Sequence, residues 1–119
     1  MKIAIPVNEK GLKAPVSTNF GRATYFLIYD SEKKQETYLE NPGRNASGGA
    51  GPKAAQVVMD AGADNLITPR LGENAANAFM NTVEIYEAHA GSVEQHIEDL
   101  LGGNLNPLNK ISKGLHGHM

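Results

Sequence analysis

"PKAAQVVMDAGADNLITP" (residues 52–69) decides the fold, because it reads as a helix that hands over to a buried strand. Ala54, Val57, Val58 and Ala61 stand at i, i+3, i+4 and i+7, one apolar face of a helix expected from Pro52 to Ala61. Proline suits the first helical position, where its missing N–H costs nothing, and Gly62 stops the helix. "NLITP" (65–69) is short and apolar, as a buried strand is. The unit then repeats: "ENAANAFMNT" (73–82) reads as a second helix and "VEIYEA" (83–88) as a third central strand. Two such βα connections imply parallel strands joined by right-handed crossovers.

Working outward, "KIAIPV" (2–7) and "TYFLIYD" (24–30) read as strands separated by a long loop over 8–23. After the polar turn "SEKK", "QETYLE" (35–40) alternates and returns as a hairpin partner. "SVEQHIEDLL" (92–101) is a third helix, with Ser92 as its N-cap and Gln95 at the capping-box position. Beyond Gly102 the periodicity is lost, so a single α/β domain is expected over 1–102 and a flexible tail over 103–119. The order βββαβαβα, with the first strand central, gives a mixed five-stranded sheet in the order 3-2-1-4-5 flanked by three helices, like the ribonuclease H fold.

The 119 residues suffice for one small core. The absence of cysteine excludes disulfides, thiol catalysis, Cys-ligated zinc and thiolate-held iron–sulfur clusters. A net charge of −2 gives no pull towards nucleic acid, and no apolar run approaches the ~20 residues of a membrane span. "MKIAIPV" is too short for a secretory signal, and a cytoplasmic location is expected.

In the expected topology the loops 8–23, 41–51, 69–74 and 88–92 converge on one sheet edge, where ligands of α/β proteins favour the carboxyl ends of parallel strands. The chain's three arginines, Arg22, Arg44 and Arg70, fall in these loops with Lys10 and Lys13, and Lys53 follows in the first helical turn. Beside a helix N-terminus such a cluster reads as an anion site. The competing reading is scattered arginines paired with surface carboxylates.

"NASGGAGPKAA" (45–55) opens the first helix. Gly43 to Gly48 fills the first six places of a phosphate-binding P-loop, but Gly49 and Ala50 stand where Lys and Ser or Thr are required. Gly49 to Ala54 fits the loose dinucleotide pattern G-x-G-x-x-A. However, the loop before it is long, and the next strand ends in Thr68-Pro69 with no acid for a ribose hydroxyl. What remains is a run of small residues whose amides can approach a large anion. A plain glycine-rich turn is the alternative.

Catalytic sets are thin. The first strand has no acid to hold magnesium for nuclease chemistry, and Ser17 and Ser47 sit in no nucleophile elbow. His89 lies at the loop edge as a polar residue, an anion donor or a metal ligand, whereas His96 reads as surface or boundary. His116 and His118 form an H-x-H pair in the tail, a weak metal site or a solvated stretch.

"MKIAIPV", "STNFGRATYFLIYD", "ENP…GGAGPKAAQ", "GENAANAF" and "GSVEQHIEDLLGGNL", in this order over residues 1 to about 106, resemble the dinitrogenase iron-molybdenum cofactor biosynthesis family. Its NifX-like, NifB C-terminal and orange-protein members carry the F-G-R-A and G-G-A-G elements, here Phe20 to Ala23 and Gly48 to Gly51. The resemblance implies a non-enzymatic domain that binds or carries a metal–sulfur cluster, with cluster donor or acceptor proteins as partners. The resemblance extends to the orange protein of sulfate reducers, which implies a molybdenum–copper sulfide cluster held without covalent attachment; an iron-containing cluster is the alternative. Many relatives have His where this chain has Asn19, and another His in the loop that here reads Gly43-Arg44-Asn45, so His ligation does not carry over.

The expected cluster-binding set is therefore Asn19, Phe20, Gly21, Arg22, Arg44, Ser47, Gly48, Gly49, Ala50, Gly51, Lys53, Arg70 and His89. Without thiols, a cluster must bring its own sulfide and be held as an anion by N–H donors. Two other classes stay open on the residues: a phosphate- or nucleotide-directed enzyme using the same basic edge, and a protein-interaction module.

Overall fold

A computed structural model describes residues 1–109 and 111. The hairpin strands are β1 (Lys2–Val7), β2 (Tyr25–Asp30) and β3 (Gln35–Glu40), followed by one 3-10 turn at Pro42–Asn45. Then come α1 (Ala50–Asp60), β4 (Asn65–Thr68), α2 (Glu73–Phe79), β5 (Glu84–Glu87) and α3 (Val93–Leu101). The sheet has the expected order, β3-β2-β1-β4-β5. β2 runs antiparallel to β1 and β3, while β4 runs parallel to β1 and β5.

Period-two alternation divides β1 between two cores. Ala4 joins Phe26, Ile28 and Leu66 beneath Ala54, Ala55 and Val58 of α1 and Ala75 and Phe79 of α2. Ile3, Ile5 and Val7 join Leu27 and Ile67 on the other face, beneath Val93, Ile97 and Leu100 of α3. Among the described residues no helix is long and apolar enough to cross a membrane.

β1 carries Pro6 at the centre of the sheet, a position that normally excludes proline. The parallel ladder to β4 covers Ile3↔Asn65 and Ala4↔Leu66 only. Beyond it the Pro6 carbonyl accepts from the Ser17 N–H at 2.8 Å, and Val7 bridges Val16. N–H and C=O of one strand residue share a side, so the missing donor faces this loop and costs β2 nothing. β1 and β4 thus part towards their carboxyl ends.

Several boundaries differ from the sequence expectation. α1 begins at Ala50 rather than Pro52, capped by Gly49 in the left-handed region at φ 69°. Pro52 is then third in the helix, still within the turn whose N–H groups lack partners. α2 ends at Phe79, and Met80 and Asn81 both take positive φ. Ser92 caps α3 by accepting from the Gln95 N–H, but the Gln95 side chain bonds forward to Asp99, leaving half a capping box.

Two larger corrections concern β5 and the segment C-terminal to α3. β5 is an edge strand, not a central one. The chain also does not leave the domain at residue 103. Glu87 donates to the Asn106 carbonyl, Leu108 donates to that of Ile85, and Pro107 bridges Tyr86, so residues 106–108 lie antiparallel along the outer edge of β5. Leu105 is buried in the α3-side core and Leu108 packs against the other, one leucine on each face of the sheet. Sparse periodicity hid this strap, because a single leucine either side of a Pro reads as loop.

Candidate functional site

The F-G-R-A segment, the 3-10 turn and the start of α1 form one interlocked corner. Phe20 is buried and packs its ring against Phe26 and Phe79, with centroids 5.1 and 6.0 Å apart. Gly21 then passes so close to α1 that a Cβ there would sit 3.4 Å from the Gly51 nitrogen. Asn41, 4% exposed, ties the corner from below. Its Nδ2 donates to the Gly21 and Ala23 carbonyls at 3.0 and 2.9 Å, and its Oδ1 accepts from the Gly43 N–H. Every polar atom of this buried amide has a partner, as burial demands.

Above the corner lies a cleft of about 530 Å³. One wall is Thr18, Asn19, Phe20, Gly21 and Arg22, a second is Gly49 to Pro52, and the third runs from Arg70 to Ala75. It sits where the chain leaves β1 towards β2 on one side and β4 towards β5 on the other, the crevice that α/β sheets use for ligands. Arg22 and Arg70 outweigh Glu73 in charge, and the cleft lies at the N-terminus of α1. The Ala50 and Gly51 amides there have no carbonyl one turn back inside the helix, so they are donors without an intrahelical partner.

Glycine marks two different needs here. At Gly51 a Cβ would stand 3.2 Å from that of Ala75, so glycine lets α1 and α2 meet. At Gly72 the backbone is ordinary (φ −76°) and a Cβ would meet no protein atom within 4 Å. Neither conformation nor packing requires glycine at Gly72, which leaves the space in front of it free.

The expected site divides. Asn19, Phe20, Gly21, Arg22, Gly49, Ala50, Gly51 and Arg70 line the cleft. Arg44 does not: it borders a separate depression with Thr24, Glu40, Pro42 and Asn45. Ser47, Gly48 and Lys53 are exposed and outside the lining. The first half of loop 8–23 also goes elsewhere, folding onto the start of α3 through Val93 N–H to the Ala14 carbonyl and Glu94 N–H to that of Leu12. Lys13 pairs there with Glu94, whose carboxylate raises the ammonium pKa, and Lys10 lies over the rings of Tyr25 and Tyr38. Burial raises the Tyr38 hydroxyl, which accepts from the Gly11 N–H and so pins the same loop.

His89 is likewise on the α3 side. Its ring stacks on His96 at 4.4 Å and its Nε2 lies 3.4 Å from Asp99. His96, expected at the surface or boundary, is fully buried. Its Nε2 accepts from the His89 backbone N–H at 3.0 Å, which leaves the proton on Nδ1 for the Ser92 carbonyl at 2.7 Å. It is a structural clip across the β5–α3 turn. His116 and His118 lie outside the described residues. Among the described residues no three His, Asp or Glu side chains converge as a metal-ion set.

A sequence model described as dinitrogenase iron-molybdenum cofactor matches residues 1–103. The chain belongs to this family. Among solved structures it is similar to a NifB candidate from Thermotoga, of the DUF35 family, at 34% identity and a TM-score of 0.80, over 93% of this chain and 96% of that one. It is also similar to the apo form of the orange protein from Desulfovibrio gigas, at 29% identity and a TM-score of 0.85, over 91% and 92%. A dinitrogenase candidate from Methanocaldococcus jannaschii shares the fold at 21% identity and a TM-score of 0.68, over 92% and 96%. No curated protein sequence matches. Asn41 and the wall from Leu71 to Ala75 lie outside the expected set, although Asn41 stands in the "ENP" and Gly72 to Ala75 in the "GENAANAF" of the family resemblance.

Proposed function

We propose that this protein binds and carries an anionic metal–sulfur cluster in the cleft between F-G-R-A, the α1 N-terminus and the segment 70–75, without catalysing a reaction on it. The cargo is molybdenum-containing, with copper as a second metal and an iron cluster as the alternative. Membership of the iron-molybdenum cofactor family supports the class of cargo. The observation that carries the reading is chemical: the cleft offers two guanidiniums, helix amides and methyl groups, and no thiol. Such a lining suits a particle whose outer atoms are already sulfide. It can hold that particle by charge-assisted N–H···S contacts in a partly desolvated site. Direct ligation of a bare metal ion would need side chains that, among the described residues, do not converge there.

The test is reconstitution of the purified chain with tetrathiomolybdate, with and without Cu(I), followed by gel filtration, visible absorption and metal analysis. The expected result is a coloured protein holding molybdenum in fixed proportion. Arg70→Ala should weaken retention by about tenfold, the loss of one charged hydrogen bond, and leave the fold intact. Metal that never co-elutes with wild-type protein, or equal retention by Arg70→Ala, overturns the reading. Inorganic phosphate and pyrophosphate as competitors test the phosphate-enzyme alternative, which predicts displacement by them.

A further inference from the structure

Arg22 lines the cleft, yet the hydrogen bonds of its guanidinium go to the loop beside it. Nη1 donates to the carbonyls of Gly43, Arg44 and Ala46 at 3.4, 3.2 and 2.6 Å. The Arg44 and Ala46 carbonyls lie at the end of the 3-10 turn, where carbonyls lack partners within the turn, whereas that of Gly43 also accepts from the Ala46 N–H. A cation placed against them is favoured by the local dipole as well as by the bonds. Asn41 reaches the opposite way, from the turn to the Gly21 and Ala23 carbonyls. The F-G-R-A segment and the turn are therefore stitched in both directions, and the stitched turn runs through Ala46 and Ser47 into Gly49, the cap of α1.

We infer that Arg22 is a positioning residue: it fixes residues 46–49 so that the first amides of α1 face the cleft. One end of its guanidinium is committed to the loop. Among the described residues its Nε and Nη2 donate to no protein atom, which leaves them for whatever occupies the cleft. A planar fork can serve the loop and the cleft together, whereas a lysine ammonium is a single point donor on a flexible stem. The substitution of charge for charge should accordingly fail here. The nature of the occupant rests on the proposed function, but the ordering of the loop is a property of the cargo-free protein, so the two are tested separately.

The experiment is hydrogen–deuterium exchange of the cargo-free protein, comparing wild type with Arg22→Lys, Arg22→Ala and Arg70→Ala. Both Arg22 variants should exchange the hydrogen-bonded amides of Gly43, Arg44, Ala46 and Lys53 about tenfold faster or more, the scale of one lost charged hydrogen bond, while those of β1 and β2 and the melting temperature stay at wild-type values. Arg70→Ala should show wild-type exchange throughout. Millimolar guanidinium added to Arg22→Ala should restore protection of these four amides, which a general loss of stability would not allow. Wild-type exchange in Arg22→Lys, or no rescue of Arg22→Ala by guanidinium, overturns the inference. Should the exchange pattern hold while even wild type fails to retain tetrathiomolybdate, the latch stands and the cluster reading falls.

Discussion

Gly43 and Ala50 approach so closely that a Cβ on Gly43 would stand 2.7 Å from the Ala50 carbonyl oxygen, inside any normal contact. Both partners are backbone, so neither can swing aside. Gly43→Ala must push the 3-10 turn off the start of α1, and overpacking of this kind costs about 1–3 kcal/mol. Urea unfolding should show a lower midpoint with an unchanged slope, and the cleft should lose affinity with it.

Gly72→Ala separates stability from binding. The added methyl enters open space at an ordinary φ, so the fold gains nothing and loses little. Lower entropy of the unfolded chain and a poorer N-cap for α2 oppose each other, leaving stability within about 1 kcal/mol of wild type. Under the proposed function, however, the methyl occupies cargo space. The expected result is an unchanged thermal midpoint with reduced tetrathiomolybdate retention, read by metal analysis.

His96→Leu should behave in the opposite way. It removes the acceptor for the His89 N–H, in a position with no exposure, while the Ser92 carbonyl keeps the His96 backbone N–H. Leaving that one N–H unpaired costs about 1–3 kcal/mol. Thermal melting should fall clearly, while folded protein at low temperature retains cargo like wild type, since the clip lies on the α3 side.

Leu105→Ala tests where the domain ends. In a tail this substitution would be silent. Leu105 is only 9% exposed within the α3-side core, and truncating a buried leucine costs about 2–5 kcal/mol. Chemical denaturation should place the loss near the lower end of that range, because the site is at the rim of the core.

The fold was legible because its signals are local. Alternation in β1 and β2, the i, i+3, i+4 face of α1 and the order of elements fix the sheet topology without any long-range information. The site was legible only in part. The glycines could be found from their spacing and Phe20 from the family resemblance, but the direction of each cation could not. Arg22 bonds across 21 to 24 residues. Arg44, one residue past Gly43, faces another depression, and periodicity carries no record of either. His96 shows the same limit. Its position on α3 is buried only because the β5–α3 turn folds over it, and a helical pattern does not say what will cover its flank.

The strap along β5 has a consequence for assembly. A sheet with two open edges behaves as a bifunctional monomer, since each added copy presents a new edge and growth has no natural end. Here Asn106 and Leu108 spend their inward groups on β5, so Pro107 between them faces outward, and its ring nitrogen has no hydrogen to offer. That side is capped. Only β3 retains an open edge among the described strands, so sheet-to-sheet pairing can join two copies and then stops, which excludes filaments by this route.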